Sequence, residues 1–337
     1  MANETSFSLC MATARSALLL GLLLLPASLG CDVWRPQPPS KELRIAANPW
    51  PGYSFVFLAE EKGFFDDENL SVRILEFGSL ADARRVFEQG HADVIFCTLV
   101  EVMLMNEPRR KDFVRAFAAT DYSNGGDMLL ARQEVHNLDQ LKGKRVGLEP
   151  GSLDALCVHL ALSSASLSLD DVVIVPLAQA EMQAALEEGA VDAVQVYPPA
   201  ADGLLRIEGV HTLWDSSQVP GVVVDVLAAS DAALLDRQDD LQALLRAYGR
   251  AQTYYREHPE EALDILARRC RLSKSAMKRS LAGMKVLWME KDQTDLFVDG
   301  SMLKATETTA DGLIAVGMLK QRPAVAPIDG RLHAASP

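Results

Sequence analysis

The feature that most constrains the fold of this chain is a repeated alternation between short apolar strand patterns and amphipathic helix patterns. Leu43–Ala47 is a strand pattern, and residues 55–62 form a helical pattern that ends at Gly63. Residues 70–75 then alternate as a strand does, and residues 80–89 form an amphipathic helical pattern. Alternation of this kind predicts parallel βαβ units and therefore an α/β fold.

A second run of the same alternation begins near residue 133. Residues 145–149 and residues 191–197 predict strands in this part of the chain. Asp93 and Asp192 each head a strand that follows a helix and a glycine, so the two runs echo each other. Two similar α/β lobes predict a ligand cleft between them.

The N-terminus has the pattern of an export signal. Arg15 precedes an almost wholly apolar segment, residues 16–29, and small residues lead from it to Cys31. The apolar segment is shorter than the ~20 residues that a confident membrane span needs. Ser28, Leu29 and Cys31 are similar to a bacterial lipobox with its first two positions exchanged, which predicts that Cys31 is lipidated. The alternative is an ordinary signal peptide in which Cys31 has no role.

Composition excludes several classes of protein. The net charge is −13 and no basic run is present, which argues against nucleic-acid binding. Cys97, Cys157 and Cys270 are widely spaced and form no Cys/His cluster, so we expect no metal site; one disulfide is possible, but three buried thiols are favoured. Neither a catalytic motif nor a cofactor-binding motif is found. An exported two-lobe chain with an aromatic-lined cleft is better explained as a binding protein than as an enzyme.

The first candidate site is the segment between the first strand and the first helix. Asn48, Trp50 and Tyr53 lie there among two prolines and a glycine, which predict a tight turn. Ligands of open α/β sheets bind beside the carboxyl ends of strands. Trp50 and Tyr53 therefore either line a ligand site or cover the core.

Other loops at predicted strand ends supply the remaining candidates. Thr98 and Ser152 each precede a helix, where unpaired N–H groups and the helix dipole favour an anion; the alternative is that both are plain N-caps. Asp121 to Asp127 is predicted to be a polar turn, in which Asp127 has a structural role and the other polar side chains contact a ligand amine or close the turn. The candidates from these loops are Cys97, Thr98, Asp121, Ser123, Asn124, Gly151, Ser152 and Tyr197.

Several short motifs, taken in order, indicate a family. The run Trp50-Pro51-Gly52-Tyr53 is followed by Gly90-His91-Ala92-Asp93-Val94, by a Leu-Lys-Gly-Lys run at residues 141–144, and by Pro150-Gly151-Ser152. This order and spacing resemble the solute-binding proteins of ABC importers of the nitrate, sulfonate and taurine type, a group that includes binders of thiamine precursors. The resemblance covers residues 43–255.

The resemblance implies a periplasmic-binding-protein-like fold of type II, with two α/β lobes joined by two crossover strands around a ligand cleft. The crossover strands are expected near residues 129–133 and 222–229. The implied division of the chain is a lipoprotein-type signal at 1–30, a tether at 31–41, the first lobe at 42–131 and 222–320, the second lobe at 132–221, and a loose tail at 321–337.

The resemblance also implies a function. We expect an exported, lipid-anchored monomer that captures a small anion by hinge closure and delivers it to a permease with its ATPase. Nitrate, sulfonates and taurine are the first ligands implied. A thiamine pyrimidine precursor or related heteroaromatic compound is the alternative, and an enzyme on the same fold is a further one.

Overall fold

The computed structural model describes residues 42–106, 112–298, 300–323 and 326–333. The predicted signal, the tether and Cys31 lie outside these residues. Within them, no helix combines the length and the apolar character that crossing a membrane requires.

The first of the two β-sheets is a mixed sheet of six strands. Its strand order is β11-β4-β10-β3-β1-β2. β1 pairs in parallel with β2 and β3, whereas β10 runs antiparallel to β3 and β4. We call this sheet and the helices that pack on it the first lobe. Its strands are β1 (Leu43–Ala47), β2 (Val72–Glu76), β3 (Val94–Thr98), β4 (Val114–Ser123), β10 (Val224–Ser230) and β11 (Met284–Val286).

A five-stranded sheet forms the second lobe. Its order is β7-β6-β8-β5-β9, with β6 parallel to β7 and β8, and β5 antiparallel to β8 and β9. Its strands are β5 (Met128–Ala131), β6 (Arg145–Leu148), β7 (Val173–Pro176), β8 (Ala193–Val196) and β9 (His211–Asp215).

Helices cover both sheets, as the alternation predicts. α5, α6 and α7 pack on the five-stranded sheet, and the others belong to the first lobe, where the long α9 packs on α1 and α10. The helices are α1 (Phe55–Glu61), α2 (Phe64–Asp67), α3 (Leu80–Glu88), α4 (Leu99–Met105), α5 (Asp154–Ser164), α6 (Met182–Glu187), α7 (Ala200–Leu204), α8 (Asp231–Asp236), α9 (Gln238–Glu257), α10 (Pro259–Arg269), α11 (Lys274–Ala282), α12 (Gln293–Val298) and α13 (Ser301–Ala315).

The strand bounds differ from expectation at the crossing between the lobes. Met128–Ala131, expected at the end of the first lobe, pairs with β8 and β9 in the second. β4 continues to Ser123 because Tyr122 and Asp121 pair with β10, so Asp121 and Ser123 lie on a strand and not in a turn. The crossings therefore fall at residues 124–127 and 216–223.

The C-terminal segment, expected to be loose, is attached to the exposed edge of β4. The N–H of Ala116 donates to Pro327 O at 2.9 Å, and its carbonyl accepts from Asp329 N at 2.8 Å. His333 Nε2 lies 2.6 Å from the carbonyl oxygen of Phe117. Backbone pairing of this kind leaves no periodicity in the sequence, which is why the pattern did not predict it.

Candidate functional site

Four connections from the two lobes meet at one small cavity. They are the turn after β1, the start of α4, the crossing between β4 and β5, and the loop before α5. The start of α3, the loop after β8 and the beginning of β10 complete the lining. The cavity has a volume of about 10 Å³, close to the space that one water-sized sphere occupies. The lobes are therefore in contact around it.

Five of the sequence-predicted residues line this cavity: Asn48, Trp50, Tyr53, Thr98 and Tyr197. Five others line it that the sequence did not single out as ligand contacts: Leu80, Asp127, Leu153, Val223 and Asp225. Asp225 had a usable signal, because it is an acidic residue inside the otherwise apolar run of residues 222–229. A carboxyl group buried in such a strand is costly unless it has a role.

Trp50 faces the second lobe. Its ring meets that of Tyr197 edge to face, with centroids 6.1 Å apart, and Asn48 Nδ2 lies 3.5 Å from the Tyr197 hydroxyl. The indole N–H donates to Asp121 Oδ1 at 3.0 Å. Trp50 thus contacts Tyr197 across the cleft and is held in its own lobe by the hydrogen bond to Asp121.

Tyr53 points into the first lobe. Its ring stacks on Phe96 with centroids 4.9 Å apart, and its hydroxyl donates to Asp225 Oδ1. The sequence left open which aromatic ring meets a ligand and which covers the core. Here the Tyr53 ring packs in the core and its hydroxyl end lies toward the cavity, whereas the ring of Trp50 faces the cleft.

Two carboxyl groups lie side by side beneath these aromatic residues. Asp225 on β10 is the register partner of Asp121 on β4, and both are fully buried. Burial raises the pKa of Asp121 to about 6, and burial together with the charge of Asp121 raises the pKa of Asp225 well above its ordinary value. Among the described residues no donor group reaches Asp225 Oδ2, and the neighbouring Asp121 carboxyl group is the side chain with which it can share a proton.

Asp127 adds a third carboxyl group on the crossing between β4 and β5. Its N–H donates to Ser123 Oγ at 3.0 Å, but its side chain is buried and its Oδ1 atom has no hydrogen-bond partner within the described part of the chain. Burial raises its pKa to about 7. The structural role expected for Asp127 accounts for its backbone, whereas its side chain faces the cavity.

The hydroxyl groups of Thr98 and Ser152 both cap local backbone. Thr98 Oγ1 accepts from Val100 N at 3.1 Å, and Glu101 completes a capping box on α4. Ser152 Oγ donates to Glu149 O at 2.9 Å and accepts from Asp154 N at 3.3 Å. Both hydroxyls are therefore engaged before any ligand is considered.

The other predicted residues lie near the cavity without lining it. Cys97 is buried in the core on β3, and Ser123 Oγ lies 2.6 Å from Ser216 Oγ at the crossing between the lobes. Asn124 and Gly151 are exposed. Asp121 does not line the cavity, but it lies beside two residues that do: Trp50, which donates to it, and Asp225, its strand partner.

Neither a metal site nor a disulfide occurs in the described part of the chain. No cluster of His, Cys, Asp and Glu there could hold a metal ion. Cys97, Cys157 and Cys270 are all free thiols.

Comparison with known proteins gives the family context. A family profile described as NMT1/THI5 like matches residues 50–262. A proposed binding protein of Brucella abortus is 21% identical over 81% of this chain and 85% of its own length. A proposed aliphatic sulfonates-binding protein of Bacillus subtilis is 24% identical over 80% of each chain.

Solved structures show the same fold. The alkanesulfonate-binding protein SsuA from Xanthomonas axonopodis pv. citri, bound to MOPS, has a TM-score of 0.73 at 18% identity and covers 86% of this chain and 98% of its own. The desulfurization enzyme DSZB has a TM-score of 0.66 at 18% identity, covering 87% and 97%. The expected periplasmic-binding-protein-like fold is thereby confirmed, and the comparisons support a solute-binding role.

Proposed function

The chain belongs to the NMT1/THI5-like family, and on that premise we propose that it is the solute-binding component of an ABC importer whose ligand is a small organic cation rich in hydrogen-bond donors. The observation that carries this ligand class is the lining of the cavity. Within the described residues, Asp127 Oδ1, Asp225 Oδ2 and Asn48 Oδ1 receive no hydrogen bond, and none of the residues that line the cavity is basic. Buried polar atoms are normally satisfied, so a ligand that donates hydrogen bonds fits them.

The aromatic residues favour a flat ligand. Trp50 and Tyr197 come from opposite lobes, and a ring that enters between them would contact both. Aromatic faces also attract cations, by ~0.5–2 kcal/mol. Carboxyl groups and aromatic rings both suit a cationic ring, and this cavity contains both. The heteroaromatic ligand implied by the sequence resemblance is of this kind when it carries an amino group.

The anion that the resemblance ranks first has less support from the site. Its best support is the relatives whose names specify sulfonates. However, three carboxyl groups lie in or directly behind the cavity lining, and the hydroxyls of Thr98 and Ser152 are engaged. Above pH 7, where Asp127 is ionised, an anion placed there would meet like charge in a desolvated setting, which is strongly unfavourable.

Capture would proceed by movement of the two lobes. The cavity of about 10 Å³ cannot accept an organic molecule, so the ligand enters when the lobes part at the two crossings. Ligand contacts with both lobes then favour the closed form, which a permease can recognise. Export through the predicted leader and a lipid on Cys31 would hold the protein beside that permease.

The ligand class is tested with three compounds that share one ring. Benzamidine is cationic, benzamide is neutral and benzenesulfonate is anionic. We expect benzamidine to raise the Tm of the purified protein and to bind in calorimetry, with little effect of the other two; a ligand at a hundred times its Kd stabilises by ~2.7 kcal/mol. Nitrate, methanesulfonate and taurine complete the panel. A larger Tm rise with benzenesulfonate or nitrate would refute the cationic ligand, and turnover of any of these compounds would favour an enzyme.

A further inference from the structure

Glu101 links the two lobes through a single buried carboxyl group. It lies on α4 in the first lobe and is 1% exposed. Its Oε2 atom accepts from Thr98 N at 3.1 Å and from Thr98 Oγ1 at 2.5 Å. Its Oε1 atom accepts from Leu153 N at 3.1 Å, in the second lobe. Three donors from both sides of the cleft therefore converge on it.

The position of this carboxyl group has chemical significance. Leu153 is the N-cap residue of α5, a helix of 11 residues. Free N–H groups and the positive end of the dipole make such a helix start attractive to anions. Thr98 and Leu153 both line the cavity. Glu101 thus supplies, from within the chain, the negative group that a ligand would otherwise bring to this helix.

We propose that Glu101 is a specificity-determining residue: its carboxyl group occupies the N-terminal position of α5 in the closed cleft and excludes anionic ligands from it. This inference rests on the proposed role of the cleft as the binding site. It explains why the segment Pro150-Gly151-Ser152, which suits an anion by sequence, need not bind one here.

The surroundings of Glu101 would accept an anion if its carboxyl group were removed. Arg84 on α3 reaches across to the same loop, where its Nη1 donates to Gly151 O at 2.9 Å. Burial raises the pKa of Glu101, and the positive charge of Arg84 lowers it. A cation and the unpaired donors of Thr98 and Leu153 would then face the vacated volume, whereas in the native chain Glu101 satisfies them.

The test compares two substitutions of Glu101 with a matched control. Glu101→Ala opens space, and Glu101→Gln removes the charge while keeping the size. Glu88→Gln removes the same charge from a residue whose Oε2 lies 4.0 Å from Arg84 Nε. Each protein is titrated calorimetrically with methanesulfonate and nitrate at constant ionic strength. We expect Glu101→Ala to bind methanesulfonate at least ~10-fold more tightly than the native chain, a difference of ~1.4 kcal/mol. Glu101→Gln should gain less affinity for either anion, because its amide removes the repelling charge but still fills the volume. Glu88→Gln should gain affinity for neither.

The inference is overturned if the folded Glu101 variants bind methanesulfonate and nitrate no more tightly than the native chain does. Circular dichroism and urea unfolding establish that a variant is folded, and Glu101→Gln gives the answer if Glu101→Ala does not fold. The result is separable from the proposed cationic ligand, because that ligand is tested with benzamidine on the native chain. Either experiment can fail while the other succeeds.

Discussion

Asp121 and Asp225 lie opposite each other on β4 and β10, and each is held by an aromatic residue of the same short turn. Trp50 donates to Asp121 at 3.0 Å, and the Tyr53 hydroxyl donates to Asp225. The turn after β1 therefore does more than close the cavity. It places two donors over a pair of neighbouring acids, and Thr120 Oγ1 adds a third donor, 3.0 Å from Asp121 Oδ2.

Replacing Asp225 by Asn should separate binding from stability. We expect Asp225→Asn to weaken benzamidine binding at least ~10-fold, because the carboxyl group that can ionise beside a cationic ligand is lost. The free energy of unfolding should stay the same or rise, because the substitution removes an acid whose ionisation is opposed by burial and by Asp121. Asp236→Asn, at an exposed position, makes the same charge change and should alter neither quantity. Unchanged benzamidine affinity in Asp225→Asn would remove this residue from the site.

The two aromatic residues should respond differently to truncation. Tyr53→Ala should cost about 3–5 kcal/mol of unfolding free energy, because its ring is stacked on Phe96 in the core. Tyr53→Phe keeps the ring and should lose only ~1–3 kcal/mol with the bond to Asp225. Trp50→Ala should weaken benzamidine binding more than Tyr53→Phe does, since Trp50 is the ring that meets Tyr197 across the cleft. Urea unfolding and calorimetry on the same samples measure both quantities, and the reverse order of affinities would contradict the assignment.

Stability should fall as pH rises from about 4 to about 7. Burial raises the pKa of Asp127 to about 7 and that of Asp121 to about 6. Between the ordinary carboxyl pKa and these values the folded chain binds more protons than the unfolded chain, so the free energy of unfolding decreases with rising pH. The raised pKa of Asp127 alone corresponds to a loss of about 4 kcal/mol of unfolding free energy, because a shift of one pKa unit is equivalent to ~1.36 kcal/mol.

Urea unfolding at intervals between pH 4 and pH 8 measures this dependence. Asp127→Asn should flatten it, whereas Asp236→Asn should not. Stability that increases across this window in the native chain would show that the buried carboxyl groups are charged throughout it. Benzamidine should bind more tightly above pH 7, where Asp127 is ionised.

Position 52 requires glycine because neighbouring side chains come close to its Cα atom, and not because of its backbone angles. A Cβ atom on Gly52 would lie 2.1 Å from Asp121 Oδ2 and 2.8 Å from Trp50 Nε1. Gly52→Ala should therefore displace the bond between those two side chains, reduce stability by about 1–3 kcal/mol and shift the fluorescence of Trp50. Gly78→Ala is the matched control, because nothing lies within 4 Å of its added Cβ. Native stability in Gly52→Ala would mean that the turn can shift at no cost.

The C-terminal segment should contribute to stability. A chain that ends at residue 323 loses the pairing of Ala116 with Pro327 and Asp329, and the bond from Arg115 Nη1 to Ala326 O at 3.0 Å. We expect it to unfold at a lower urea concentration, by about 2–4 kcal/mol at ~1 kcal/mol for each bond. A chain that ends at residue 333 keeps these bonds and should unfold like the full chain. Identical midpoints for the two truncations would show that the segment adds nothing.

The sequence was most informative where one local pattern decides the structure. The strand–turn–helix at residues 43–61 and the repeat of helix, glycine and Asp-headed strand follow from apolar periodicity and from glycine and proline chemistry, so the α/β class and both lobes were predictable. The turn that contains Asn48, Trp50 and Tyr53 was recognisable for the same reason. The end of β4 was not, because polar residues such as Asp121 do not look like strand residues, and only pairing with β10 makes them so.

What the sequence by itself determined, then, is the order of elements and the turn that carries two aromatic residues, because these depend on interactions between neighbours in the chain. Only the tertiary structure decided the character of the cavity. Asp121, Asp127 and Asp225 are far from Trp50 in sequence, and their convergence depends on which strands pair and where the chain crosses between sheets. Ser152 shows the same limit: its helix start suits an anion locally, but Glu101 from the other lobe bonds to Leu153 beside it. Long-range pairing decides which charge reaches a site, and no periodicity records it.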